Sequence, residues 1–206
     1  MGPGGDRAAL MKGGSVPPRG TGVSRGIDAA DSRVRPTVRG RRSGVSSMKA
    51  IVLYDSVFGN TRQIVQSIAD ALASRADVEL LLPAEANLAG LAGSELLVVG
   101  SPTRGFRPTE AIAAMLKHLG TRSLEGSRVA AFDTRLKADE IDSAGVRFIV
   151  RTGGYAAKRI ADQLRRAGGT LIGPPEGFFV EDTEGPLKQG ELARAAAWAS
   201  QLMDAK

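Results

Sequence analysis

The pattern of apolar and polar positions changes abruptly at Met48. Residues 1–47 show no periodic apolar run, whereas beyond them short solid apolar runs alternate with stretches of helical spacing. Ala50-Ile51-Val52-Leu53-Tyr54 is a continuous apolar run and predicts a strand covered on both faces. Asn60 to Arg75 follows, with Ile64, Ile68, Ala71 and Leu72 on one face of a predicted helix. Val78 to Leu82 predicts a second strand, and Glu95 to Gly100, with its Leu96-Leu97-Val98-Val99 core, a third. Thr109 to Leu119 repeats the helical pattern through Ile112, Met115, Leu116 and Leu119. Val129 to Phe132 predicts a fourth strand. Tyr155 to Arg166 predicts a helix with Ala156, Ile160 and Leu164 inward and Lys158, Asp162 and Arg165 outward. Thr170-Leu171-Ile172 and Phe178-Phe179-Val180 frame a fifth strand region broken by Pro174-Pro175. Glu191 to Met203 closes the chain with Leu192, Ala195, Trp198 and Leu202. The weakly patterned stretch from Lys137 to Gly154 is interrupted by Gly145 and Gly153-Gly154, and reads as a loop plus a short helix.

Strands that alternate with helices predict an α/β fold with a parallel sheet and right-handed crossovers. The 159 residues from Met48 onward suffice for one such core. No internal repeat is present. In open parallel sheets ligands bind beyond the carboxyl ends of the strands. That rule singles out the segments after strands one, three and four.

Composition narrows the chemistry. The chain has no cysteine, which excludes disulfides, iron–sulfur clusters, thiolate zinc sites and dithiol redox work. A single histidine, His118, makes a histidine metal site or a Ser-His triad a poor fit. Redox chemistry would therefore need an organic cofactor. A pI near 10.1 raises nucleic acid as a partner. The location of the charge removes that reading. Arg7, Lys12, Arg19, Arg25, Arg33, Arg35, Arg39, Arg41 and Arg42 face only Asp6, Asp28 and Asp31 within residues 1–47, which accounts for the whole net charge of +6. Residues 48–206 carry 19 basic and 19 acidic side chains and sum to zero, so no nucleic-acid partner is expected.

The first 47 residues hold 10 of the 26 glycines and no aromatic, too little apolar surface to offset ordering entropy, so a disordered extension is expected. Its Arg and Ser content resembles a transit peptide. Arg41-Arg42 suggests a twin-arginine signal, but no apolar run of signal length follows. The favoured reading is an inert segment upstream of a true start at Met48. No stretch approaches the ~20 apolar residues of a membrane span. No membrane partner and a cytoplasmic location are expected.

After strand one, Asp55-Ser56-Val57-Phe58-Gly59-Asn60-Thr61 leads straight into a helix. Hydroxyls at Ser56 and Thr61, a glycine and a helix N-terminus make an anion cradle. The loop has neither a Walker lysine nor the dinucleotide glycine triplet, so it suits a terminal phosphomonoester held by neutral donors. The alternative is an ordinary helix start capped by Asn60 or Ser56. After strand three, Ser101 to Thr109 contains Gly105, free to adopt positive φ, and Phe106, able to stack on a planar ring. The alternative is a plain loop in which Pro108 opens the next helix. After strand four comes Asp133-Thr134-Arg135-Leu136, where Asp133 either accepts a bond from a ligand amide or hydroxyl or caps a helix.

Val52 to Thr61 resembles the phosphate loop of the flavodoxin family, and Leu97 to Thr103 resembles its third strand and first flavin-facing loop. The resemblance covers roughly Met48 to Lys206 and is nearest to single-domain flavodoxin-like proteins of bacteria. It implies a doubly wound α/β domain with five parallel strands in the order 2-1-3-4-5 and FMN held noncovalently at their carboxyl edge. The phosphate would rest on Ser56, Val57, Phe58, Gly59, Asn60 and Thr61. The isoalloxazine would lie between Pro102, Thr103, Arg104, Gly105 and Phe106 on one side and Asp133, Thr134 and Arg135 on the other.

The chain departs from the family in four ways. Phe58 offers only backbone where a hydroxyl is frequent. Ile64 stands where alanine is usual. Phe106 is the only aromatic in the two ring loops, with Trp198 assigned to the core. Arg104, Arg107 and Arg135 flank the ring, where cations raise a flavin's reduction potential by Coulomb attraction. These arginines could instead hold an acidic substrate or partner, or be solvated. The function expected is FMN-dependent electron transfer to a redox partner protein or a small-molecule acceptor, in a monomer or weak homo-oligomer. No side chain stands out as an acid, base or nucleophile. The alternatives are a module that has lost FMN and acts in binding or assembly, and a flavin-dependent quinone or small-molecule reductase. Arg151, Lys158, Arg165 and Arg166 form a basic strip interspersed with acids, and Glu181 to Pro186 reads as a polar turn rather than a metal loop.

Overall fold

Two solid apolar runs build the centre of the sheet. β1 (Met48–Tyr54) and β3 (Leu96–Pro102) lie side by side, and Ala50 to Leu53 and Leu96 to Val99 are completely buried. The computed structural model describes residues 48–137 and 155–205. The expectations for residues 1–47 and for the loop and short helix before Gly154 lie outside that range. Within it, α1 (Asn60–Leu72), β2 (Ala76–Leu81), α2 (Leu88–Ala92), α3 (Glu110–Lys117), β4 (Arg128–Arg135), α4 (Ala156–Arg166), β5 (Thr170–Leu171), β6 (Glu176–Phe179) and α5 (Glu191–Asp204) complete the fold.

The sheet is parallel throughout and runs β2-β1-β3-β4-β5, with β6 also paired to β4. The period-two alternation of each strand splits the core into two layers. Ala50, Val52, Leu96 and Val98 face α1 and α5. Ile51, Leu53, Leu97 and Val99 face α3 and α4. Trp198 joins the first layer and meets Phe132 and Phe178 edge to face, with centroids 5.9 and 6.0 Å away. The Phe132 ring lies over Gly100, where a Cβ would fall 2.1 Å from ring carbon.

The fifth sheet position is filled by two short strands rather than one. Arg128 and Val129 pair with β5, and Phe132 to Arg135 pair with β6. Pro174-Pro175 falls between them, because proline has no N–H to donate to a ladder. α1 stops at Leu72, three residues before the expected end, and β2 starts correspondingly early. α2 was not expected. It is a local structure, capped by the Asn87 side chain, which accepts from the Gly90 N–H at 2.7 Å, and anchored by the single buried Leu91. Among the described residues no helix is long and apolar enough to cross a membrane.

Candidate functional site

At the carboxyl ends of β1, β3 and β4 the loops enclose a cleft of about 350 Å³. The Thr103 N–H donates to Thr134 O at 2.9 Å and the Asp55 N–H to Gly100 O at 3.2 Å, so the three ends form one rim.

The first wall is the turn into α1. Gly59 precedes the helix with φ +86°, a left-handed conformation that glycine adopts without steric cost, and a Cβ there would meet nothing within 4 Å. No acidic side chain stands in the first turn of α1. The Ser56 hydroxyl accepts from the Arg62 N–H at 3.3 Å and so satisfies one N–H of the first turn, while the N-cap position is Gly59, which has no side chain to cap the others. Asn60 does not cap the helix. Its amide donates to Glu184 O at 2.8 Å, which ties the turn to the loop between β6 and α5. Gly185 presses on the same amide. The Thr61 and Thr134 hydroxyls lie 2.9 Å apart, both buried. Only one of their two protons is used between them, which leaves one for an acceptor in the cleft.

The second wall is a hairpin. Arg104 and Arg107 exchange backbone hydrogen bonds of 2.9 and 3.0 Å, and the two residues between them, Gly105 and Phe106, have φ of 53° and 64°. Positive φ at both central positions is the I′ turn, which matches strand twist. For phenylalanine the left-handed region costs about 1–2 kcal/mol. Arg159 Nε donates to Phe106 O at 3.0 Å, and the Ala156 N–H donates to the Thr103 hydroxyl at 3.1 Å, so α4 holds the hairpin in place.

The third wall is the end of β4. Asp133 is completely buried and does not line the cleft. One carboxylate oxygen accepts from Arg135 Nε and the other from the Ala157 N–H at 2.7 Å, so the helix-capping alternative is the one realised. Burial pushes this carboxyl above its ordinary value, against the opposing effects of Arg135, the Ala157 N–H and the Thr103 hydroxyl. Arg135 stacks over the Tyr155 ring at 3.9 Å from its centroid and donates to Glu176 O at 3.3 Å. Gly177 makes room for it, since a Cβ there would lie 2.3 Å from the guanidinium.

The charge expected beside a ring is therefore reduced. Arg135 is paired with Asp133, and Arg107 does not line the cleft. Among the described residues Arg104 remains as the exposed cation at the mouth, 5.6 Å over the Phe58 ring.

Of the residues expected at the site, Val57, Phe58, Asn60, Thr61, Pro102, Thr103, Arg104, Gly105, Phe106, Thr134 and Arg135 line the cleft. Ser56, Gly59 and Asp133 support it from behind. Sequence reading missed Leu136, Tyr155, Val180 and Thr183. Tyr155 had a usable signal: in a parallel sheet the helix following a strand begins at the strand's carboxyl end, so the residue that leads into α4 returns to the rim. Tyr155 adds an aromatic beside Phe106 and the expected Phe58, so three aromatics line the cleft among the described residues. His118 is exposed, its Nδ1 2.7 Å from Ala114 O, and lies away from the cleft. Lys158 and Arg165 both engage Asp162. The loop after β6 is a turn closed by the Glu181 N–H to Pro186 O at 2.8 Å.

No protein-family model matches the chain, and no curated protein matches it. Solved structures do. A flavodoxin from the domain Archaea is 21% identical with a TM-score of 0.58, over 76% of this chain and 97% of that one. Oxidised flavodoxin 2 from Bacillus cereus is 19% identical with a TM-score of 0.61, over 76% and 98%. Rubredoxin oxygen:oxidoreductase from Desulfovibrio gigas is 16% identical with a TM-score of 0.56, over 76% of this chain but 35% of that larger one. The fold is that of the flavodoxins.

Proposed function

We propose that the cleft binds FMN and that the protein takes part in electron transfer. The observation that carries this reading is the pairing, at the carboxyl rim of a flavodoxin fold, of an open helix N-terminus with a cleft walled by Phe58, Phe106 and Tyr155. Its volume of about 350 Å³ falls within the ~300–1,000 Å³ usual for small-molecule sites. The neighbours named as flavodoxins support the same reading.

The residues present fit the cofactor. Backbone N–H groups of the turn through Gly59 and the first turn of α1 would hold the phosphate, helped by the partial positive charge of the helix end. The spare proton of the Thr61–Thr134 pair would go to a phosphate or ribityl oxygen. Phe106 on its hairpin and Tyr155, stiffened by Arg135, would flank the ring. When bound, FMN supplies one- or two-electron redox chemistry that no side chain of this chain can supply. The cleft is lined by no carboxylate, histidine or lysine among the described residues. Its described side chains would bind and orient the cofactor and keep water from it.

The test is direct. The full-length protein, purified without added flavin, should be yellow and release FMN on heating. The flavin-free protein should quench the fluorescence of added FMN with one-to-one stoichiometry. A colourless protein that leaves FMN fluorescence unchanged refutes the reading and favours a binding module without flavin.

A further inference from the structure

A second depression, of about 1,010 Å³, lies on the far side of the Arg104–Arg107 hairpin, between it, α3 and α4. We propose that this groove docks an acidic protein surface. Its consequence, delivery of electrons to or from the neighbouring cleft, rests on the function proposed above, but the docking itself does not.

Three observations carry the inference. The first is charge. Arg104, Arg107, Lys117 and Arg159 line the groove, with Glu110 as the single acid among the described residues. Residues 48–206 sum to zero charge, so this excess is a local segregation. All four cations are exposed, and none has an ion pair among the described residues. Counter-ions are not scarce elsewhere: Arg75, Arg122, Lys158 and Arg165 each hold an acid within 3.5 Å. Clustered like charges repel one another, and an anionic partner relieves that repulsion and is steered toward it.

The second is lining. Small-molecule sites are mostly apolar with a few polar groups, whereas five charged side chains, Arg104, Arg107, Glu110, Lys117 and Arg159, line this groove, and its volume reaches the upper limit of such sites. A broad charged groove suits a protein surface better than a small ligand. The third is position. Arg104 lines both groove and cleft, and at the cleft mouth Val57 and Phe58 are 50% and 44% exposed. An apolar centre beside a charged rim is the usual anatomy of a protein interface.

A fluorescein-labelled oligo-glutamate peptide serves as the probe, with the full chain and anisotropy as the readout. Wild type should bind it, and binding should fade as ionic strength rises from ~0.01 to ~1 M. The double variant Arg107→Glu/Lys117→Glu should bind about tenfold more weakly or worse, since two surface pairs become repulsions. Its melting temperature and FMN affinity should be unchanged, because both side chains are exposed and neither lines the cleft. The control Arg75→Glu, in a separate ion pair, should bind the peptide as wild type does. Equal binding by wild type and double variant overturns the proposal. So does an equal loss in the control, or inorganic pyrophosphate that binds more tightly than the peptide. A protein that binds the peptide but not FMN leaves the docking site standing and removes only the flavin.

Discussion

Replacing Asp133 by alanine strips the rim of a fully buried carboxyl group. The carboxylate serves Arg135 Nε, the Ala157 N–H and the Thr103 hydroxyl, from a position with no solvent exposure. Removing one partner of a buried ion pair costs about 3–5 kcal/mol, mostly from the charge left behind. Here the Arg135 side chain is 15% exposed and keeps Glu176 O and the Tyr155 ring, so the lower end of that range, about 3 kcal/mol, applies. For a chain of this size that lowers the melting temperature by about 6–12 °C. Asp133→Asn keeps one acceptor oxygen but turns an NH2 toward the donor that the second oxygen served, so it should cost nearly as much as alanine.

Urea unfolding followed by fluorescence measures both, with Trp198 as a single, nearly buried reporter. The pH dependence adds an independent signature. Burial raises the carboxyl of the folded state above the unfolded value of 3.8, so the folded protein holds that proton more tightly. The stability Asp133 contributes is therefore complete below pH 3.8, falls as pH rises through the raised folded value, and is level above it. The difference in stability between wild type and Asp133→Asn should trace that fall. An alanine variant within ~1 kcal/mol of wild type, or a difference that is flat with pH, refutes the account of this cluster.

Three further substitutions test the surroundings. Gly100→Ala places a Cβ 2.1 Å from the Phe132 ring and should cost about 1–3 kcal/mol by overpacking, with Phe132→Leu in the same chain restoring much of the loss in a urea titration. Gly185→Ala combines φ +111° with a Cβ 2.6 Å from the Asn60 amide, so it should lower both the urea midpoint and the affinity for FMN by breaking the brace to Glu184 O. Phe106→Gly relieves a left-handed phenylalanine but removes an aromatic wall. Its melting temperature should stay level or rise by about 1–3 °C. Its FMN dissociation constant, read by fluorescence quenching, should rise about 3–10-fold from lost ring contacts. A clear drop in melting temperature would show that the hairpin needs the phenylalanine for its own packing.

Periodicity along the chain determined most of the elements. β1 and β3 are buried on both faces, so their apolar runs are solid and their extents easy to read. α4 pairs a strict apolar face with a charged one. The resemblance of two loops supplied the strand order, and the adjacent prolines marked the break in the fifth position. α2 escaped because one buried leucine and a local cap leave no periodic trace.

At the site, the carboxyl-edge rule located the rim, since it depends only on strand direction. Side-chain assignments needed the tertiary structure. Whether Asp133 faces a ligand or caps α4 depends on where a helix whose Ala157 lies 24 residues later begins. Whether Arg135 charges the cleft depends on that same Asp133. Tyr155, Val180 and Thr183 reach the rim only because the crossovers return there. Arg104, Arg107, Lys117 and Arg159 are scattered in a segment of balanced charge and become one basic groove only when a hairpin packs beside α3 and α4. Local pattern sets which face of an element is buried, because burial acts on each residue through its neighbours three or four positions away. Which charges meet is set by long-range packing, which a one-dimensional pattern does not encode.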